Sequence, residues 1–177
     1  MRPRPDDQAL RDIRMLLTDV DGILTDGHIH FDGAGVEIKT FHVHDGAGLV
    51  YWHRCGGKSG FVSGRGSDVV RKRAEELKVE EIHLGKLDKL PVVEDILARH
   101  DLTPANIAYI GDDLADLPVL RIAGFAATVP EARPEVLSAV HYVTETRAGR
   151  GAVRELVEVL LKAQGHWDDI VGRSGLP

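Results

Sequence analysis

The sequence predicts an α/β protein: a Rossmann-like doubly wound parallel sheet carrying a β-hairpin insertion. Three observations predict it. Short β-rich runs alternate with longer helical patterns, the arrangement of a parallel sheet covered on both faces. One pair of runs, 28–31 and 36–41, is joined by a glycine-bearing loop and reads as a hairpin. The acidic clusters fall just past β-rich runs, where sheets of this kind bind their ligands.

The elements follow in order. The apolar run 13–18 reads as a strand, and the hairpin follows it. Residues 46–54 form a helix stopped by Gly56-Gly57. Residues 58–63 are a short, weak strand loosened at Gly60, and 67–77 a helix with Ser67 as N-cap. A strand at 81–84 leads to an amphipathic helix at 90–100 that admits Pro91 in its first turn. The run 106–110 is a strand ending in Gly111-Asp112-Asp113. A helical piece at 117–122, strands at 124–129 and 141–143, and a strongly periodic helix at 150–162 complete the series. No internal repeat, low-complexity tract or long linker interrupts it, so residues 1–177 read as one domain.

Bulk properties narrow the function. Of 177 residues, 43% are hydrophobic and 28% charged, the composition of a globular chain with a proper core. No apolar run approaches the ~20 residues needed to span a bilayer. The polar start, MRPRPDDQALRD, lacks the apolar core of a signal peptide. The single Cys55 excludes an internal disulfide and fits a reducing cytoplasm. A net charge of −6 argues against nucleic acid or an anionic membrane as partner, but not against a small anion held by a local cation.

The chemistry gathers at the strand ends. Asp19 and Asp21 follow the first strand, and Asp112, Asp113 and Asp116 follow that at 106–110. Carboxylates converging from two strand ends suit a hard divalent cation with oxygen ligands, Mg²⁺ above all. The alternative is that these are loop aspartates capping helices. Ser63 offers a hydroxyl, and Gly64 after it a backbone N–H, for a phosphate oxygen. Lys89, at the start of a helix, can add its ammonium to an anion site.

In this order, Asp19-Val20-Asp21-Gly22, Ser63, Lys89 and Gly111-Asp112-Asp113 with Asp116 resemble the motifs of the haloacid dehalogenase superfamily of phosphohydrolases. The resemblance implies that Asp19 is the nucleophile, forming an aspartyl-phosphate, and that Asp21 is the general acid and base. It implies Mg²⁺ held by the Asp19 and Asp112 carboxylates and the Asp21 carbonyl. Ser63 and Lys89 would hold the phosphoryl oxygens. Asp113 would orient Lys89 or a water, and Asp116 would support the loop.

Members usually gain specificity from a cap domain inserted after the first or second motif. Residues 22–62 and 64–88 are too few for one, so the fold is read as having no cap domain. "DVDGILTDGHIHFDGAGVEIKTFHVHDGAGL", "VSGRGSDVV" and "RAGRGAVRELVEVLL" resemble the capless family that hydrolyses 3-deoxy-D-manno-octulosonate 8-phosphate in lipopolysaccharide synthesis. That family implies a homotetramer paired through the hairpin, and a C-terminal tail (163–177 here) able to reach a neighbouring site. For the sugar acid's carboxylate, Arg65 is the first candidate, then Arg73 and Arg150. His42, His44 and Asp45 are candidates for the sugar pocket. Phosphatases of nonulosonate 9-phosphates are the rival reading. Some carry an acidic residue where this chain has Arg65 and a basic one where it has Glu76. A non-catalytic oligomerisation module and a receiver-like domain are weaker alternatives.

Overall fold

The computed structural model describes residues 1–172. At its centre is a six-stranded, all-parallel sheet. Its strands are β1 (Met15–Thr18), β4 (Lys58–Ser63), β5 (Glu81–Leu84), β6 (Ile107–Ile110), β7 (Phe125–Thr128) and β8 (Tyr142–Val143), in the spatial order β5-β4-β1-β6-β7-β8. Between β1 and β4 the chain makes a separate antiparallel ribbon, β2 (His30–Phe31) with β3 (Glu37–Ile38), in which Phe31 faces Glu37. The doubly wound sheet and its hairpin are therefore present.

β1 is the hinge of the topology. The chain steps from β1 to β4 and β5 on one side, then returns to lay β6, β7 and β8 on the other. The crevice where the direction reverses opens at the carboxyl ends of β4, β1 and β6. Every residue of β1, β6 and β7 is buried, as strands covered on both faces require. The cover includes α2 (Val43–Arg54), which packs on α7 (Ala152–Ala163), itself flanked by α1 (Asp7–Arg11). A second group comprises α4 (Leu90–Arg99), α5 (Leu117–Ile122) and α6 (Pro134–Ala139), while α3 (Asp68–Glu76) packs on β5. Leu156, Val157, Leu160 and Leu161 give α7 its wholly buried face, the periodicity its sequence displays.

Four expectations are corrected. The strand at 58–63 is not weak: β4 is a long inner strand paired on both sides. At Gly60 an added Cβ would lie 2.6 Å from Leu17 Cδ2, so glycine here permits close packing across strands. The helix expected at 46–54 begins earlier, at Val43, because the His42 ring accepts from the His44 amide (3.4 Å) as its cap. Ser67 stands before α3, but its hydroxyl gives no cap bond and donates to Glu37 instead (2.6 Å). Finally, the expected tail is partly helical. α8 (Trp167–Gly172) is tied to its own chain by Arg154 and Lys162 over the Trp167 ring (5.2 and 5.4 Å). Gln164 Nε2 donates to the carbonyl of Ile13 (3.0 Å), just before β1 begins, so this segment docks at the end of the sheet opposite the crevice. The remainder of the expected tail, 173–177, lies outside the described residues.

Candidate active site

β1 ends by handing its pairing on: Asp19 N–H donates to the carbonyl of Ile110 (2.9 Å), which brings the first acidic loop against the loop after β6. Gly22 adopts φ +92°, and a Cβ there would lie 2.2 Å from Asp112 Oδ2. Glycine is thus needed both for the turn and for the approach of the two acidic loops.

A cleft of about 190 Å³ results, lined by Asp19, Asp21, Ser63, Gly64, Arg65 and Lys89 together with Asp112, Asp113 and Asp116. At its floor the Lys89 ammonium bridges Asp19 (2.8 Å) and Asp116 (2.6 Å). Asp116 is fully occupied: it also accepts from the Tyr109 hydroxyl (2.6 Å) and from the amides of Asp112 and Asp113 (both 3.1 Å). It therefore orients Lys89 as well as bracing the loop. Asp113 caps the short 3₁₀ turn after β6, accepting from the Leu114 amide (2.8 Å).

Burial dominates the electrostatics. It pushes the Asp19 carboxyl up to about 6, with Asp116 adding repulsion and Lys89 opposing it. Burial likewise raises Asp112 to about 7, assisted by the charges of Asp19, Asp116 and Asp113. For Lys89 burial works against the charge, but Asp19 and Asp116 outweigh it and hold the ammonium above its ordinary range. Three carboxylates and one ammonium leave an excess of negative charge that a cation would relieve.

The donor set fits a hard divalent cation. Oxygens of Asp19, Asp112 and Asp116 lie within 4.8 Å of one another. Asp116 is spent on Lys89 and Tyr109, whereas Asp112 Oδ1 is buried with no hydrogen-bond partner among the described residues. That orphaned oxygen and the Asp19 carboxylate, which Lys89 touches on one side, supply the hard ligands.

Of the residues expected to read the sugar, Arg65 and Gly64 line this cleft and the others stand apart. Arg150 lines a neighbouring cleft that shares Asp112 and includes Gly22, His28 and Arg147. Arg73 pairs with Glu76 (2.8 Å) and sits 6.0 Å over the Phe41 ring. Arg65 pairs with Glu37 (2.8 Å). Asp45, expected in the sugar pocket, is buried between α2 and α7 and accepts from the Arg154 amide (2.9 Å). His42 and His44 meet edge to face at the start of α2, outside the cleft lining.

Two residues outside the four superfamily motifs also belong to the site. Lys39, just past β3, has a buried side chain and forms an ion pair with Asp21; Glu37 links Arg65, Ser67 and, at 3.6 Å, Lys39. In the sequence, the alternation Val36-Glu37-Ile38-Lys39 puts the two charges on one face of the hairpin.

Fold and acidic crevice define a haloacid dehalogenase-like hydrolase, and the chain belongs to that family: the family's model matches residues 61–156. It is 40% identical, over 89% of its own length and 88% of the relative's, to the 3-deoxy-D-manno-octulosonate 8-phosphate phosphatase of Haemophilus influenzae. The crystal structure of the Moraxella catarrhalis phosphatase of that name, in complex with magnesium, phosphate and its sugar acid, superposes with a TM-score of 0.92. It is 38% identical and covers 94% of this chain and 96% of that one. A cobalt-bound structure of the Haemophilus influenzae enzyme gives 0.86 at 40% identity, with coverages of 89% and 92%.

Proposed function

We propose that this chain is a Mg²⁺-dependent phosphomonoesterase that hydrolyses 3-deoxy-D-manno-octulosonate 8-phosphate to the free sugar acid and phosphate, a step of lipopolysaccharide precursor synthesis. The observation that carries the reading is the floor of the crevice. Asp19, the candidate nucleophile, is held by Lys89, beside an Asp112 oxygen with no other use.

Asp19 attacks phosphorus and forms an aspartyl-phosphate as the bond to the sugar oxygen breaks. Asp21 gives its proton to the departing alkoxide, then takes one from the water that cleaves the acyl phosphate and regenerates Asp19. Asp21 Oδ2 is buried and without a partner among the described residues, which leaves it free for that proton. Ser63, the Gly64 N–H and Lys89 hold the phosphoryl oxygens as charge spreads over them. When bound by Asp19, Asp112 and the Asp21 carbonyl, Mg²⁺ offsets the repulsion between an anionic nucleophile and an anionic phosphoryl group.

Residues 1–177 act on this reading as one phosphatase domain without a cap. The substrate is a phosphorylated sugar acid. A homotetramer, with sites near the subunit interfaces, agrees with the exposed apolar side chains of the hairpin, Ile29, Phe31, Val36 and Ile38. A cytoplasmic location agrees with the single cysteine; among the described residues no helix is long and apolar enough to cross a membrane.

Phosphate release with and without Mg²⁺ tests the chemistry. Asp19→Asn is expected to lower kcat by on the order of 10⁴-fold. Substrate choice is read from kcat/KM on octulosonate 8-phosphate against a nonulosonate 9-phosphate. Equal or reversed preference overturns the assignment.

A further inference from the structure

Arg65 lies on the bend that follows β4, and its guanidinium is fixed. Its Nη2 donates to Glu37 Oε1 (2.8 Å), and Glu37 Oε2 is in turn held by the Ser67 hydroxyl (2.6 Å). The other terminal nitrogen, Nη1, is buried and has no partner among the described residues, although Arg65 lines the cleft beside Asp19, Ser63 and Lys89. A buried, charged N–H donor without an acceptor is costly unless something fills its place during function.

We propose that Glu37 is a positioning residue for substrate selection, holding Arg65 by Nη2 so that Nη1 is presented to the non-phosphate part of the sugar acid. The inference rests on the reading of this cleft as a sugar-acid phosphatase site. Glu37 does two things for Arg65. It removes rotamer freedom that substrate binding would otherwise have to quench. Its negative charge also disfavours an anion on the Nη2 side, which directs a substrate carboxylate or hydroxyl toward Nη1. Because Glu37 lies on β3 and Ser67 precedes α3, the link also sets the hairpin's position relative to the mouth of the site. Lys39, on the same face of the hairpin, holds Asp21 in the same way.

A double-mutant cycle separates this role from simple fastening of the hairpin. Glu37→Ala is expected to lower kcat/KM for octulosonate 8-phosphate about tenfold more than for an aryl phosphate, chiefly through KM, and Glu37→Asp to recover part of the loss. If Glu37 acts through Arg65, Glu37→Ala/Arg65→Ala loses no more than about twofold beyond Arg65→Ala alone. Equal losses on both substrates, or losses that multiply in the double variant, overturn the proposal. Wild-type turnover of a nonulosonate 9-phosphate but not octulosonate 8-phosphate defeats the substrate assignment, and the same cycle is then decided on the nonulosonate. Turnover of neither sugar acid defeats both.

Discussion

At the scale of single residues, the site gathers negative charge that the protein does not neutralise. Asp19 and Asp112 are raised to about 6 and about 7, so each keeps its proton in the fold at a pH where it would be ionised in the open chain. Ionising them therefore costs stability as pH rises from about 4 through 7, and a bound cation restores it. Because both bind metal only when deprotonated, Mg²⁺ uptake at pH 6 should release protons, and its apparent affinity should fall as pH drops below 7. Calorimetry in two buffers of different ionisation heat reads this directly; affinity flat from pH 5.5 to 8 would exclude it. Asp19, Ser63, Lys89 and Asp112 were legible in the sequence because each ends or follows a β-rich run in a recognisable order. Glu37 and Lys39 were not. A charge on a short hairpin is ordinarily a solvated one, and only the fold of the ribbon against the body buries them.

At the scale of elements, α7 shows how one part of the chain completes another. Its N-cap position is Gly151, at φ +111°, which supplies no side-chain acceptor, and Asp45 of α2 reaches across to accept from the Arg154 amide. Burial raises the Asp45 carboxyl, while the amides of Arg154, Val153 and Gly151 favour its charge. Asp45→Ala should thus lower stability by about 1–2 kcal/mol, as loss of a helix cap does, with KM for substrate little changed. A large rise in KM at unaltered Tm would instead return Asp45 to the sugar pocket. Sequence periodicity displayed α7 and α4 plainly, since each has a continuous buried face. It did not display α1, α6 or α8, which span a turn or two and owe their existence to docking rather than to propensity. β4 reads as weak in the sequence for the converse reason: Gly60 weakens an isolated strand but fits an inner one, where Leu17 and Glu81 leave no room for a side chain.

For the whole molecule, two groups outside the crevice lose their contributions to the fold at different stages of acidification. His141 is buried and its Nδ1 accepts from the Ala126 amide (2.9 Å), so the fold needs the neutral ring, and burial lowers it to about 4. That contribution is present above pH 6.5 and is lost as pH falls toward 4. Burial alone would raise the Glu81 carboxyl. Arg99, His83 and His100 surround it with hydrogen bonds and bring it down to about 2. Its contribution is present above about pH 4.5 and lost as pH falls through 2. Against the unaltered protein, His141→Gln should gain Tm progressively as pH falls from 6.5 to 4, while the Glu81 contribution lost at lower pH stays in place. An unchanged slope would mean that His141 does not set it. The two groups hold different ends of the sheet, His141 between β7 and β8 and Glu81 at the start of edge strand β5.

The clasp of Trp167 by two cations has an optical consequence. The chain holds two tryptophans. The Trp52 indole is sealed in the core and donates to the Lys58 carbonyl (2.7 Å), whereas Trp167 sits at the surface against Tyr51, Arg154 and Lys162. A red shift of emission before any loss of circular dichroism would then mark release of α8 alone, giving the C-terminal segment its own intrinsic dye.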